Sequence, residues 1–255
     1  WSYLHAIKDY TDMAAHLETV PGARAVVNFS AVLLDQIADY AGQVRGFLEN
    51  GRSIRDPLLA ALDNPALPSG GEQRSMLIRK CLRANEDRLI NRFPDYRRLV
   101  EMARWLIRHP DVMPYVSDQF SGDLLVWYHL AWLGETVRRD DQRIRRLMDK
   151  HGNYSLHDRR ELLVIIGELL SGLTQRYARL AQAGKVELSV TPYAHPILPL
   201  LLDFNCAHDA LPDIPLPDTQ RYPGGEQRAQ WHVQQAINTF ERAFGFRPSG
   251  CWPSE

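Results

Sequence analysis

The chain has 255 residues, 45% of them hydrophobic, with 30 basic against 31 acidic side chains and a formal net charge of −1. That length supports a sizeable core in one large α/β domain or two small ones, and the balanced charge gives no general pull towards nucleic acid or an anionic membrane. No apolar run reaches the roughly 18 residues needed to span a bilayer. Cys81, Cys206 and Cys251 form no CxxC pair and no disulfide framework, which suits a reducing, cytoplasmic setting. The chain begins at Trp1 without a basic-then-apolar leader, so it reads as a mature or truncated piece.

In chain order, residues 3–18 read as a helix, with Leu4, Ile7 and Met13 among charged residues. After the turn Pro21-Gly22, residues 23–29 read as a short strand buried on both faces. Ser30 looks like a helix cap, and Leu33, Ile37, Tyr40, Val44 and Phe47 then fall on one helical face. Residues 51–70, with Pro57, Pro65, Pro68 and Gly70, read as a loop-rich break. From about 72 to 182 the pattern is almost wholly helical; Leu162, Ile166, Leu169, Leu173, Tyr177 and Leu180 give the clearest stripe, with Asp158 as its expected cap. The arginines at 138, 139, 143, 145 and 146 alternate with aspartates and read as a solvated face. Residues 185–191 are strand-like, 205–225 are turn-rich, Val233, Ile237, Phe240 and Phe244 mark another amphipathic helix, and a final strand approaches Trp252. Alternation of this kind predicts a mostly parallel sheet interrupted by a long helical insertion at about 51–182, within a single domain of residues 1–255.

Two places carry residues suited to chemistry. The chain closes on Trp252-Pro253-Ser254-Glu255, after a strand. The run from Lys185 to Pro196 holds Glu187, Tyr193 and His195. In an α/β barrel the strands end at one rim where catalytic groups gather, and carboxylates beside Trp and Tyr rings suit sugar chemistry: acids handle protons or attack the anomeric carbon, and flat rings lie on pyranose faces. Glu187, flanked by Val186 and Leu188, is expected either to face a polar cleft at the same lip as Glu255 or to lie on the outward face of an edge strand. Glu255 reads equally as a surface residue, and His195 as a structural hydrogen-bonder. No HxH, HExxH or Cys/His cluster is present, so neither a metal site nor a cofactor is expected, and the glycine pairs at 70–71 and 224–225 fit helix entries rather than phosphate loops.

Five segments together resemble glycoside hydrolase family 57: Leu4-His5-Ala6-Ile7-Lys8-Asp9-Tyr10 with Asp12-Met13; Val27-Asn28-Phe29-Ser30 into Leu33-Leu34-Asp35-Gln36 and Asp39-Tyr40; Asp123-Leu124 through Leu130-Ala131-Trp132; Val186-Glu187 through Pro192-Tyr193 and His195-Pro196-Ile197-Leu198-Pro199-Leu200; and Gly250-Cys251-Trp252-Pro253-Ser254-Glu255. The look is that of the α-amylase and amylopullulanase-like branch. The resemblance implies an incomplete (β/α)7 barrel and a retaining hydrolase or transglycosylase acting on α-glucan oligo- or polysaccharides. It implies Glu255 as nucleophile, Trp252 as the aromatic beside it, and Glu187 as a glutamate contacting substrate; Tyr193 and His195 fall where further substrate contacts belong. It says nothing of oligomeric state or of hydrolysis against transfer.

Two family features are missing from these residues: a histidine motif expected before Trp1, and an aspartate acid/base expected after Glu255. The alternatives are a glucan-binding protein without catalysis, a metal-dependent deacetylase or mannosidase on a similar barrel, and a helical scaffold for partner proteins. On the reading of a divided carboxylate pair, residues 1–255 alone do not turn over soluble starch while a longer form does; activity of the short form defeats that expectation.

Overall fold

A computed structural model describes residues 1–68, 70–219 and 221–253. These residues are mostly helical, with one small parallel sheet. The sheet comprises β1 (Ala25–Ser30), β2 (Val186–Thr191) and β3 (Gly250–Cys251), in that spatial order. The helices used below are α1 (Ala31–Asn50), α2 (Gly71–Cys81), α3 (Asp118–Trp132), α4 (Leu156–Gln182), α5 (Leu198–Leu202) and α6 (Gly225–Phe244). The chain divides into two compact units. One is helical, Trp1–Ala15 with Asp39–Ser171; the other holds the sheet, His16–Ala38 with the residues from Gly172 onward.

In the sheet-bearing unit, β1 and β2 pair in parallel from Ala25↔Val186 to Ser30↔Thr191, and β2 pairs in parallel with β3 through Ser189↔Gly250 and Val190↔Cys251. A parallel sheet was expected, and all three strands run the same way. A barrel is not formed among the described residues, which make an open sheet of three strands. Burial on both faces was also expected, and the register shows why it fails. Val27, Phe29, Leu188 and Val190 are buried on one face, whereas Val26, Asn28 and Glu187 are exposed on the other. Strand side chains alternate, so the polar residues fall in step across the pair. There Asn28 Nδ2 donates to Thr191 Oγ1 at 2.6 Å and Ser189 Oγ donates to Asn28 Oδ1 at 2.9 Å. The apolar face is closed by rings: Phe29 meets Tyr177 of α4 edge-on at 5.1 Å and Phe244 of α6 at 5.4 Å.

In the helical unit, α3 is buried almost all round, from Leu124 to Trp132, as befits a central helix. Its C-terminal carbonyls are capped by Arg138, whose Nη1 donates to Leu130 and Ala131 oxygens at 3.3 and 3.2 Å and also to Leu133. Arg138 is therefore not part of a solvated face, as its neighbours suggested; it is buried because a helix end needs its donors. Arg139, Arg143 and Arg146 do form ion pairs, with Asp140, with Asp141 and Glu168, and with Glu161. Pro57, read as a break, opens the short helix Pro57–Leu62 behind the cap Asp56. The cap of α4 is Ser155, not Asp158: Asp158 N donates to Ser155 Oγ at 3.2 Å, and Ser155 N donates back to Asp158 Oδ2 at 2.7 Å, a reciprocal capping box.

Asp12 explains part of the first motif. Its carboxylate accepts from Glu135 N, Thr136 N and Thr136 Oγ1 at 2.5, 2.9 and 2.5 Å, capping the helix Glu135–Asp140 from across the unit. A Cβ at Gly134 would lie 2.5 Å from Asp12 Oδ1, so only glycine lets the carboxylate approach.

His129 lies on α3, fully buried. Its Nδ1 donates to Leu125 O at 2.8 Å, which leaves Nε2 as acceptor for the Tyr3 hydroxyl at 3.1 Å. Burial pushes its pKa down to about 4. The folded value lies below the unfolded one, so the folded state binds fewer protons; this contribution is complete above about pH 6.5 and is lost as pH falls towards 4. Denaturant unfolding at pH 7 and pH 4.5 should differ by about 2–3 kcal/mol from this group. His129→Gln, which keeps an acceptor for Tyr3, should flatten that part of the acid limb. An unchanged slope would show that His129 is not buried neutral.

Candidate active site

Because the three strands are parallel, the segments leaving them emerge on one edge of the sheet. Ser30 passes directly into α1, Thr191 into the turn Pro192–His195, and Cys251 into Trp252. That turn is closed by His195 N donating to Pro192 O at 2.9 Å. It is also strained: Ala194 and His195 both have positive φ, 60° and 55°. Neither is glycine, and the residue before a proline is pushed away from helical backbone, so His195 is doubly disfavoured there. Each such residue costs on the order of 1 kcal/mol or more and persists only where its surroundings hold it.

The holding contacts come from α6. Tyr193 N donates to His232 O at 2.9 Å, and His232 Nδ1 donates back to Tyr193 O. Trp231 meets Tyr193 edge-on, with ring centroids 5.6 Å apart and planes at 81°. The Tyr193 hydroxyl donates to Asp35 Oδ2 on α1 at 3.0 Å, and Arg242 Nη2 of α6 donates to the other oxygen of the same carboxylate at 2.6 Å. The bond to Asp35 raises the Tyr193 pKa and keeps the phenol protonated. The position of α6 is itself fixed at Gly225, where a Cβ would stand 1.6 Å from the Leu201 carbonyl oxygen of α5, so only glycine fits.

At the end of β3, Trp252 N donates to Val190 O at 3.0 Å, which sets the indole beside the end of β2. The Trp252 ring stands perpendicular to the His195 imidazole, centroids 5.8 Å apart, and is about half exposed at 52%. The structure therefore gathers Tyr193, His195 and Trp252 at one edge, together with Trp231, whose indole is also half exposed. These flat, partly bare rings can lie against pyranose faces while imidazole, phenol and carboxylate groups take hydroxyls.

Glu187 does not share that edge. It is the second residue of β2, four positions before Thr191, about 13 Å away at the usual strand rise. It lies on the bare face of the sheet and lines a hollow of 370 Å³ with Arg24 and Lys185 at the opposite, N-terminal end of the strands. The expectation that it lies at the lip where the strands end is not met, because Glu187 enters β2 whereas Tyr193 and His195 follow it. Glu255, with Ser254, lies outside the described residues.

Asp35, Trp231, His232 and Arg242 have site positions that sequence reasoning did not assign. Asp35 fell within a recognised segment without a role, and the period of α6 marked only its buried stripe. Among the described residues, no group of three or more His, Cys, Asp and Glu could hold a metal ion, and no helix is long and apolar enough to cross a membrane.

A family model described as Glycosyl hydrolase family 57 matches residues 1–255. The chain belongs to this family. It is thus a glycoside hydrolase by descent, with a carbohydrate as its class of substrate. No curated protein and no solved structure matches it.

The Asp35 bond is open to direct test. In Asp35→Ala the Tyr193 pKa should fall back towards the usual tyrosine value, followed by NMR titration of the ring signal that disappears in Tyr193→Phe. A titration unchanged by Asp35→Ala would show that the carboxylate does not hold the phenol.

Proposed function

We propose that this chain is part of the catalytic domain of a retaining glycoside hydrolase or transglycosylase of the α-amylase or 4-α-glucanotransferase type, acting on α-glucans. In this reading the three strands are neighbouring staves of an incomplete (β/α)7 barrel, with the stretch at about 51–182 inserted into the domain. The observation that carries it is the perpendicular pair His195–Trp252 on the edge where parallel strands end, three residues before Glu255. Barrel enzymes carry their chemistry on that edge.

Glu255 attacks the anomeric carbon from the segment that Trp252 anchors. The C1–O bond to the leaving sugar breaks, and a covalent glycosyl-enzyme forms. A second carboxyl group, outside residues 1–255, protonates the leaving oxygen and then deprotonates the water or acceptor hydroxyl that releases the sugar. Trp252 supplies a stacking surface for the glucose ring beside the cleavage point. His195 and Tyr193 bind hydroxyls, with Asp35 fixing the phenol so that its oxygen is left as an acceptor. The register favours these rim residues over Glu187 for the contacts nearest the reacting carbon.

Maltoheptaose should bind more tightly than cellohexaose, and Trp252→Ala should weaken the maltoheptaose Kd about tenfold, in line with the loss of one stacked ring. Calorimetric titration measures both. In the form that carries the second carboxyl group, Glu255→Ala should abolish turnover of soluble starch, and azide should restore cleavage as a glycosyl azide. Glucan binding without turnover in that longer form, or turnover undiminished in Glu255→Ala, would favour a non-catalytic binder or another nucleophile, and preference for cellohexaose would refute the α-glucan assignment.

A further inference from the structure

The helical unit contains a second feature that the rim chemistry does not use. A cavity of 180 Å³ is lined by Trp1, Tyr3, Asp56, Lys80, Arg83 and Tyr128. Its volume suits one small ring rather than a chain of sugars, since sites for larger ligands run from about 300 Å³ upward.

The polar groups around it are unequally satisfied. The Tyr3 hydroxyl is taken by His129, and Asp56 Oδ1 is taken by the amides of Leu58 and Leu59 at 2.9 and 3.1 Å. Asp56 Oδ2 receives the Tyr40 hydroxyl at 3.5 Å. Tyr128 differs: it is 2% exposed, yet its hydroxyl makes no hydrogen bond to any described residue. That hydroxyl is not among the buried atoms left without a partner, so it reaches solvent through the cavity it lines and can meet a ligand there.

Lys80 and Arg83, at the end of α2, form no ion pair with a described carboxylate. The negative end of a helix accounts for cations there in general, but not for their convergence on a cavity beside an unpartnered phenol. Together these groups offer two positive charges against the one carboxylate of Asp56, a hydroxyl-binding phenol and the exposed indole of Trp1. A neutral sugar would leave the excess positive charge unmatched. A bare phosphate would leave Tyr128 and the indole unused.

We propose that this cavity binds a monophosphorylated monosaccharide, with its phosphate at Lys80 and Arg83 and a ring hydroxyl at Tyr128. The phosphate carries a charge near −2 at neutral pH and accepts charge-assisted bonds from both cations. The ring occupies the remaining volume against Trp1. The site recognises a phosphorylated sugar rather than a polysaccharide, and it does not depend on the glucan reading of the rim.

Calorimetry with glucose 6-phosphate, inorganic phosphate and glucose as separate probes tests this. Glucose 6-phosphate should bind about tenfold or more tightly than either of the others. The double variant Lys80→Gln/Arg83→Gln should lose about tenfold or more, and Tyr128→Phe about fivefold, with thermal unfolding confirming that each variant is folded. Absence of glucose 6-phosphate binding, equal binding of inorganic phosphate or of glucose, or undiminished affinity in the folded double variant would each overturn the proposal. Unchanged affinity in Tyr128→Phe would overturn the assignment of the ring hydroxyl.

Discussion

The reciprocal hydrogen bonds between Tyr193 and His232 are the constraint on which the rim depends. Left alone, the sequence Tyr193-Ala194-His195-Pro196 has no reason to place two consecutive non-glycine residues at positive φ. Two backbone-directed bonds from one residue of α6 fix the turn, and the edge-on contact of Trp231 with Tyr193 closes the same join. The imidazole of His195 then falls against Trp252, whose own amide is held by β2. The rim is thus a set of side chains aimed by backbone bonds, which is the rigidity that positioning a sugar requires.

Periodicity made the strands, the long helices and their order legible, because burial of one face imposes spacing on the sequence. It could not show that β1 and β2 keep a bare polar face. Asn28 lies about 160 residues of chain from Glu187 and Ser189, and only the register Asn28↔Ser189 and Val26↔Glu187 brings them into one row. Nor could it orient Glu187. A residue near a strand in sequence lies at the edge where the strands end only if it follows the strand, and Glu187 enters it. His195 and Tyr193 follow it, and they reach the edge. For the same reason Asp35 and His232 were invisible as site residues: their partners lie 158 and 39 positions away.

The helical unit shows a different economy of charge. Arg74, Arg138 and Arg159 are buried, and each gives guanidinium hydrogens to backbone carbonyls: Arg74 to Pro68, Arg138 to the end of α3, and Arg159 to Ala61. Arginine suits this because its fork stays charged and serves several acceptors at once. Sequence alone reads such residues as surface, since isolated buried cations are costly; what reverses the balance is the demand of carbonyls at helix ends for Arg138 and Arg159, and of the Pro68 carbonyl and the Asp118 carboxylate for Arg74.

The segments that carry the family resemblance therefore divide into two physical kinds. Asp12 caps the helix Glu135–Asp140, and Asp123 of α3 accepts the amides of Asn153 and Tyr154 at 3.0 and 2.9 Å, closing a turn at which Asn153 also has positive φ. These are architectural roles: the carboxylates are consumed by backbone donors and have little left to offer a substrate. Tyr193, His195 and Trp252 are the reverse, held through their backbones so that their rings stay partly free. A motif residue whose polar atoms are saturated by the fold is a poor candidate for chemistry, however well it matches a family. By that criterion the motif side chains left free to meet a substrate lie on the edge of the sheet, and the helical motifs serve to shape the unit that carries them.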